Sequence, residues 1–311
     1  MPTATAPRWT PADIPRLHGR TVVVTGANSG IGFEAALAFA RAGAHVVPAC
    51  RGGKAEEAAD RLRAEVPAAS LDPMELDLAR LASVRAFSAA LLQRRPVIDA
   101  LCNNAGIMAV PRRQTTEDGF ELQFGTNHLG HFALTGLLIG AVTAAPQGRV
   151  VTVSSGGHRG RTLDFADLHA ERSYGKWAAY GRSKLANLLF AYELDRRLKA
   201  AGHTALSLAC HPGAARSRLI STGHRTGGGR PDWWLRLAYT GAQSARAGAL
   251  PTVRAAVDPG LRGGEYVGPA GLGQSRGLPA VVASGPASHD RAAAERLWAA
   301  SEELTGVRFA L

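Results

Sequence analysis

The sequence lacks most of the features that mark specialised protein classes. Only three cysteines, Cys50, Cys102 and Cys210, occur in 311 residues. They share no metal-ligand spacing, and each lies in or beside an apolar run. A disulfide scaffold is therefore excluded, and no metal site is expected; buried free thiols point to a reducing, cytoplasmic setting. No apolar run approaches ~20 residues, so no spanning helix and no integral membrane association are expected. The first residues lack a charged stretch followed by an apolar one, so no signal peptide is expected. Acidic residues are fewer than basic ones, 25 against 36, for a net charge of +11. The excess is mostly scattered arginine, interleaved with Glu56, Glu57, Asp60 and Glu65. No basic block carries interleaved aromatics, so nucleic acid is not an expected partner. Repeats and long linkers are also absent.

What is present is alternation. Hydrophobic residues make up 46% and charged residues 20%, the profile of a soluble globule. Residues 1–19 are proline-rich and read as an N-terminal arm. From residue 20, apolar β-branched runs alternate with helical periodicity. Strands are predicted at Thr21–Thr25, Ala44–Cys50, Ser70–Leu76, Ala100–Asn103, Arg149–Ser154, Thr204–His211 and Glu265–Gly268. Helices are predicted at Ile31–Ala42, Lys54–Ala64, Leu81–Leu92, Phe120–Ala144, Tyr180–Ala200 and Arg291–Leu304. Continuous apolar strands separated by helices imply a parallel sheet covered on both faces. The fold class is α/β: one doubly wound, Rossmann-like domain over residues 20–311, with about seven strands. Pro48 lies inside the second strand and cannot donate to a ladder, so a local irregularity is expected there.

The first strand runs into Thr25-Gly26-Ala27-Asn28-Ser29-Gly30-Ile31-Gly32. A glycine-rich turn between a strand and a helix suits a pyrophosphate. Gly26 permits the tight turn, Gly30 lets backbone approach the phosphates, and Gly32 lets helix pack on strand. An acidic residue closing the second strand would read the ribose hydroxyl of NAD; Arg51 stands there instead. Arginine pairs with a 2′-phosphate, so NADP(H) is favoured over NAD(H).

Tyr180 and Lys184 fall on one face of a helix. A free phenol titrates near ~10, and a cation within several ångströms lowers that by ~1–3 units. The pair can thus make a proton donor near neutral pH. His128, His131 and His158 lack a nearby carboxylate at ligand spacing, and core or cleft-lining roles are expected for them rather than a metal.

The ordered set of motifs resembles the short-chain dehydrogenase/reductase superfamily over about residues 20–310. It comprises Thr25–Gly32, Asp77-Leu78, Asn103-Asn104-Ala105-Gly106, Asn127, Ser154-Ser155, Tyr180/Lys184 and His211-Pro212-Gly213. Ala49-Cys50-Arg51, Asn127–Phe132, Ser183–Asn187 and Gly264-Glu265-Tyr266 are similar to the branch holding retinol dehydrogenases and protochlorophyllide reductases. The membrane anchor of some animal members of that branch is not expected here, so a soluble enzyme is expected.

The resemblance implies roles. Tyr180 exchanges a proton with the substrate oxygen. Lys184 assists Tyr180 and holds the nicotinamide ribose. Ser155, favoured over Ser154 by the family pattern, binds the substrate oxygen. Asn127 fixes a water that links Lys184 to solvent. Asp77 and Leu78 hold the adenine; Asn104, Ala105, Gly106, Pro212, Gly213 and Ser217 border the cofactor, with Asn28, Ser29 and Ile31 from the glycine loop.

The irregular segment 214–250, with Trp233 and Trp234, is expected to be a lid over a bulky, apolar substrate; a subunit contact or a membrane-surface patch is the other reading. The helices from Phe120 and Tyr180 are usual pairing surfaces in the superfamily, so a homodimer or homotetramer is expected as readily as a monomer. The expected reaction interconverts a ketone or aldehyde and an alcohol on a hydrophobic small molecule. The alternatives are reduction of a carbon–carbon double bond and a non-catalytic NADP-binding regulatory protein.

Overall fold

Side chains alternate across a strand, and the run Thr21–Thr25 shows what that does here. Val22 and Val24 join one apolar cluster, while Val23 joins another on the opposite side. The computed structural model describes residues 8–215 and 242–311. Among them nine strands form one sheet. They are β1 Thr21–Thr25, β2 His45–Cys50, β3 Ser70–Leu71, β4 Met74–Glu75, β5 Ala100–Asn103, β6 Arg149–Val153, β7 Leu206–Cys210, β8 Tyr266–Pro269 and β9 Pro279–Val281. Their order is β3-β2-β1-β5-β6-β7-β8-β9, with β4 also beside β2. Every pairing is parallel except β8 with β9.

The helices are α1 Gly30–Arg41, α2 Lys54–Glu65, α3 Leu81–Arg94, α4 Leu122–Phe124, α5 Gly130–Thr143, α6 Lys176–Ala200, α7 Ala245–Val257 and α8 Arg291–Thr305. One layer holds α1, α7 and the arm residues Trp9 and Leu17; the other holds α3, α5, α6 and α8. The expected single doubly wound α/β domain is the observed one. Strand order reverses beside β1, which puts a crevice at the carboxyl ends of β1 and β5.

Four expectations need correction in detail. The third strand is split into β3 and β4, and Pro48 explains the gap. β2 keeps its register on β1 through Pro48, which pairs with Val24. On the other edge, Val46 O accepts from Asp72 N at 3.0 Å and Cys50 O from Leu76 N at 2.9 Å. Pro48 faces that same edge without an N–H, and pairing lapses between the two bonds. The irregularity thus lies in the partner strand.

The long helix predicted over Phe120–Ala144 starts at Leu122 and widens into a π-turn, Gly125–Leu129, between α4 and α5. Helix α6 begins four residues before Tyr180. Finally, Ala245–Leu250 of the expected irregular segment belongs to α7. Ser244 caps it by accepting from Ala247 N at 3.2 Å. Pro251 inside this helix hides it from periodicity. Trp233, Trp234 and Ser217 lie outside the described residues.

The two helices expected to pair subunits are covered from within the chain. Trp298 of α8 and Phe309 of the tail pack with Phe132 of α5 and Phe190 of α6. A side chain at Gly136 of α5 would strike Val307 and Phe309, so glycine there allows the tail to lie close.

Candidate active site

The glycine loop is held by its own turn chemistry and by one hydroxyl. Gly26 (φ +69°) and Gly30 (φ +56°) occupy the left-handed region that glycine tolerates. A Cβ on Gly26 would lie 3.0 Å from Ala105, and one on Gly32 would strike the Asn104 side chain and the Gly26 carbonyl. Thr25 Oγ1 accepts from Asn104 N and Ala105 N, both at 2.9 Å, while Asn104 Nδ2 donates to Thr25 O at 2.8 Å. The loop and the turn after β5 are thereby one rigid unit. Ser29 precedes α1 without capping it by its side chain, which leaves the first-turn N–H groups free to meet an anion.

This unit lines one wall of a cleft. Asn28, Ser29, Gly30, Ile31 and Gly32 line it along the glycine loop; Arg51, Asp77 and Leu78 line it beyond β2 and β4. Gly106, Pro212 and Gly213 lead towards Ser155, Tyr180 and Lys184. Of the residues expected to bind cofactor, every one among the described residues lines this cleft; Ser217 lies outside them. The glycine cradle, the free N–H groups and the cationic stretch beyond β2 fit a dinucleotide phosphate chain. Lys54, not anticipated from the sequence, joins Arg51 there. Its signal was a second cation three residues on, at the start of α2. Between the two cations, Gly52 N and Gly53 N donate to the Glu75 carboxylate at 2.5 and 3.1 Å, which shapes the loop.

The reactive end is built on α6. Lys184 Nζ lies 5.9 Å from the Tyr180 ring centroid and donates to Val153 O at 3.0 Å. Burial lowers the Lys184 pKa to about 8. Tyr180 is 6% exposed and packs on Met108 and Ala109, with Trp177 partly buried beside them. Ala109 holds φ +57°, uncommon for a residue with a side chain. Met108 lines the cleft and was missed, since one apolar residue after a motif carries no distinctive spacing.

The two serines separate. Both line the cleft with Tyr180, but Ser154 Oγ is buried and donates to Lys184 O at 2.7 Å, whereas Ser155 is half-buried. A Cβ on Gly157 would stand 3.3 Å from Tyr180 Cε1 and 3.6 Å from Ser155 Oγ, so both border one small space.

Asn127 does not line the cleft; it stands behind it, fully buried on the π-turn. Its Oδ1 accepts from Ile107 N at 2.8 Å, and its Nδ2 donates to Ile107 O and Ser183 Oγ, both at 2.9 Å. Its carbonyl takes the His131 Nδ1 proton at 3.0 Å, and His131 Nε2 meets Thr25 Oγ1 at 2.9 Å. His128 Nε2 meets Ser301 Oγ of α8 at 3.0 Å. Burial depresses both imidazoles, His128 to about 3 and His131 to about 4, so both are neutral. Neither histidine gathers with other ligands, and among the described residues no cluster suited to a metal occurs.

Gly106 sits where Asn127 and Lys184 meet. A methyl there would lie 3.1 Å from Asn127 Oδ1 and 3.6 Å from Lys184 Nζ. Gly106→Ala is therefore expected to lower kcat by about ten- to hundredfold through displacement at this junction. Steady-state kinetics beside a melting curve checks this; an unchanged kcat would contradict it.

A doubly wound sheet with a phosphate-binding crevice and a Tyr–Lys–Ser constellation defines a dinucleotide-dependent oxidoreductase. The family model for short chain dehydrogenase matches residues 20–221, and the chain belongs to that family. It is an NAD(P)-dependent dehydrogenase acting on an alcohol/carbonyl pair. Among curated relatives, mouse retinol dehydrogenase 14 is 41% identical over 304 residues, covering 94% of this chain and 87% of that protein. Human retinol dehydrogenase 13 is 41% identical over 304 residues, covering 94% and 86%. Among solved structures, an uncharacterized protein from Mycobacterium paratuberculosis matches with a TM-score of 0.81 and 41% identity, covering 98% of this chain and all of that one. A short chain dehydrogenase from Shigella flexneri, solved with NADP, shares the fold at a TM-score of 0.63 and 22% identity, covering 82% and 98%.

Proposed function

We propose that the chain reduces a ketone or aldehyde of a hydrophobic small molecule to its alcohol with NADPH, and runs the reverse oxidation with NADP⁺. The observation that carries this reading is the buried Lys184 beside Tyr180, with Ser155 bordering the same space. When bound, the nicotinamide supplies the hydride that reaches the carbonyl carbon. The Ser155 hydroxyl donates to the carbonyl oxygen and stabilises the charge that develops there. Tyr180 gives its phenolic proton to that oxygen. Lys184, protonated near pH 7, stabilises the phenolate left behind and holds the nicotinamide ribose. The phenolate regains its proton by way of Lys184, and Asn127, kept rigid by four hydrogen bonds, positions the water that replaces the proton Lys184 gives up. Met108 and Trp177 supply an apolar wall beside Tyr180, which suits an apolar substrate.

Arg51 and Lys54 favour the 2′-phosphate of NADP(H). Arg51→Ala is expected to weaken NADPH about tenfold or more, the size of a charge-assisted hydrogen bond, and to leave NADH nearly unaffected. Fluorescence titration with both nucleotides checks this; equal losses for the two would sink the preference. Three free, buried cysteines suit a reducing cytoplasm. Among the described residues no helix is long and apolar enough to cross a membrane. The reaction is tested by supplying NADPH with a panel that includes all-trans-retinal, decanal and an enone. Alcohol formation supports the reading; loss of the alkene alone would favour the double-bond reductase, and no turnover would favour the regulatory protein.

A further inference from the structure

His158 is buried three residues after Ser155 and takes no part in the chemistry just described. Its surroundings are specific. Ring Nδ1 lies 2.6 Å from the Ser155 carbonyl, which can only accept, so Nδ1 carries the proton. Ring Nε2 accepts from Gly285 N at 2.8 Å, so Nε2 keeps its lone pair. The imidazole is thus neutral, in one tautomer, with both nitrogens engaged. Burial and the neighbouring Arg159 both lower its pKa, in keeping with the neutral form. The Tyr266 ring meets it edge-on at 5.9 Å and limits its rotation. Arg159 gives the turn a second tie to the same segment, its Nη2 donating to Gln274 Oε1 at 2.9 Å and Ala283 O at 3.0 Å, but within the turn the bonds are few. Ser155 O also accepts from His158 N at 3.2 Å, and Ser155 Oγ accepts from Gly157 N at 3.2 Å. Gly156 and Gly157 are exposed and would leave this turn loose.

We infer that His158 is a positioning residue for Ser155: it clamps the serine turn to the Gly285 backbone, 127 residues away. The inference rests on the reading of Ser155 as the group that binds the substrate oxygen. An imidazolium would set a second N–H against Gly285 N–H, so the clamp needs the neutral ring. The charged or titratable groups around it are Arg159, Tyr266 and His211. The last is itself kept neutral, with burial lowering its pKa to about 4.

The test is a double-mutant cycle with all-trans-retinal and decanal as carbonyl probes, beside NADPH titration and melting curves. In the wild-type background, His158→Leu is expected to lower kcat ten- to hundredfold with NADPH affinity held within about threefold. His158→Asn, whose amide can still donate to Ser155 O, is expected to recover at least tenfold of that loss. In the Ser155→Ala background, His158→Leu is expected to cost less than threefold, because nothing remains to be positioned. Additive losses, or equal losses in kcat and NADPH affinity, would overturn the clamp while leaving Ser155 in its role. A Ser155→Ala enzyme of wild-type kcat would overturn both. Independently of turnover, ¹⁵N spectra of the cofactor-free protein should show His158 as the Nδ1–H tautomer. An Nε2–H tautomer or an imidazolium at pH 7 would overturn the clamp even if neither aldehyde is reduced.

Discussion

Tyr180→Phe is expected to lower kcat by about 10³-fold, within the range that a positioned proton donor contributes. NADPH affinity should stay at the wild-type value. The ring itself is held by packing against Met108 and Ala109. Phenylalanine keeps that packing and the rest of the cleft, and removes only the hydroxyl. The loss should therefore appear in kcat and kcat/KM alike, the pattern of an interaction made in the transition state. Single-turnover mixing with saturating NADPH checks this. A variant that keeps more than a tenth of the wild-type rate would place the proton donor elsewhere.

Lys184→Met should move activity and stability in opposite directions. Turnover should fall by about 10³-fold, since Lys184 sits beside the tyrosine and lines the cleft proposed to hold the cofactor. Stability of the cofactor-free protein at pH 7 should rise by about 1–3 kcal/mol, because the variant removes a buried cation. Among the described residues no acid pairs with it; on α6 the carboxylates of Glu193 and Asp195 are taken by Arg196, Arg197 and Lys199. Val153 O loses the lysine but still accepts from Asn187 Nδ2 at 3.1 Å, so no carbonyl is orphaned.

The pH dependence fixes the sign. Burial lowers the Lys184 pKa from 10.5 in the unfolded chain to about 8 in the fold. Between those values the unfolded state holds a proton that the folded state has lost, so wild-type stability rises with pH across that window. Below pH 8 the folded protein carries the cation at full penalty. The advantage of Lys184→Met should be greatest below pH 8 and shrink from there to pH 10.5. Chemical denaturation at pH 7 and pH 10 checks this. A destabilised variant at pH 7 would mean that the cation is solvated or paired.

Much of this architecture is legible in the sequence, because local signals agree with the global one. The β1 valines, the glycine loop and the Tyr180–Lys184 spacing each rest on short-range chemistry that tertiary packing does not override. What escaped depends on contacts between distant segments. Helix α7 hides behind Pro251 and is secured by packing on α1. The split of the third strand follows from a missing donor on β2, which no reading of residues 70–76 alone reveals. The π-turn is not visible in the Phe120–Ala144 periodicity, yet it is what turns Asn127 back onto Ile107. The family pattern favours Ser155 over Ser154, but a two-residue pattern does not show what each hydroxyl meets. The structure separates them by giving Ser154 Oγ to the Lys184 carbonyl. Lys54 beyond β2 and His158 under the serine turn were visible as residues, but their neighbours were not.

The central claim is hydride delivery to a carbonyl carbon. It is tested most directly by incubating the protein with NADPH carrying deuterium at nicotinamide C4 and a panel of apolar aldehydes and ketones. Products are then mapped by mass spectrometry and NMR. With each hydride face labelled in turn, the account predicts one deuterium on the carbinol carbon of the alcohol from one label only. Deuterium on an alkene-derived carbon, or no transfer to any carbonyl, would contradict it.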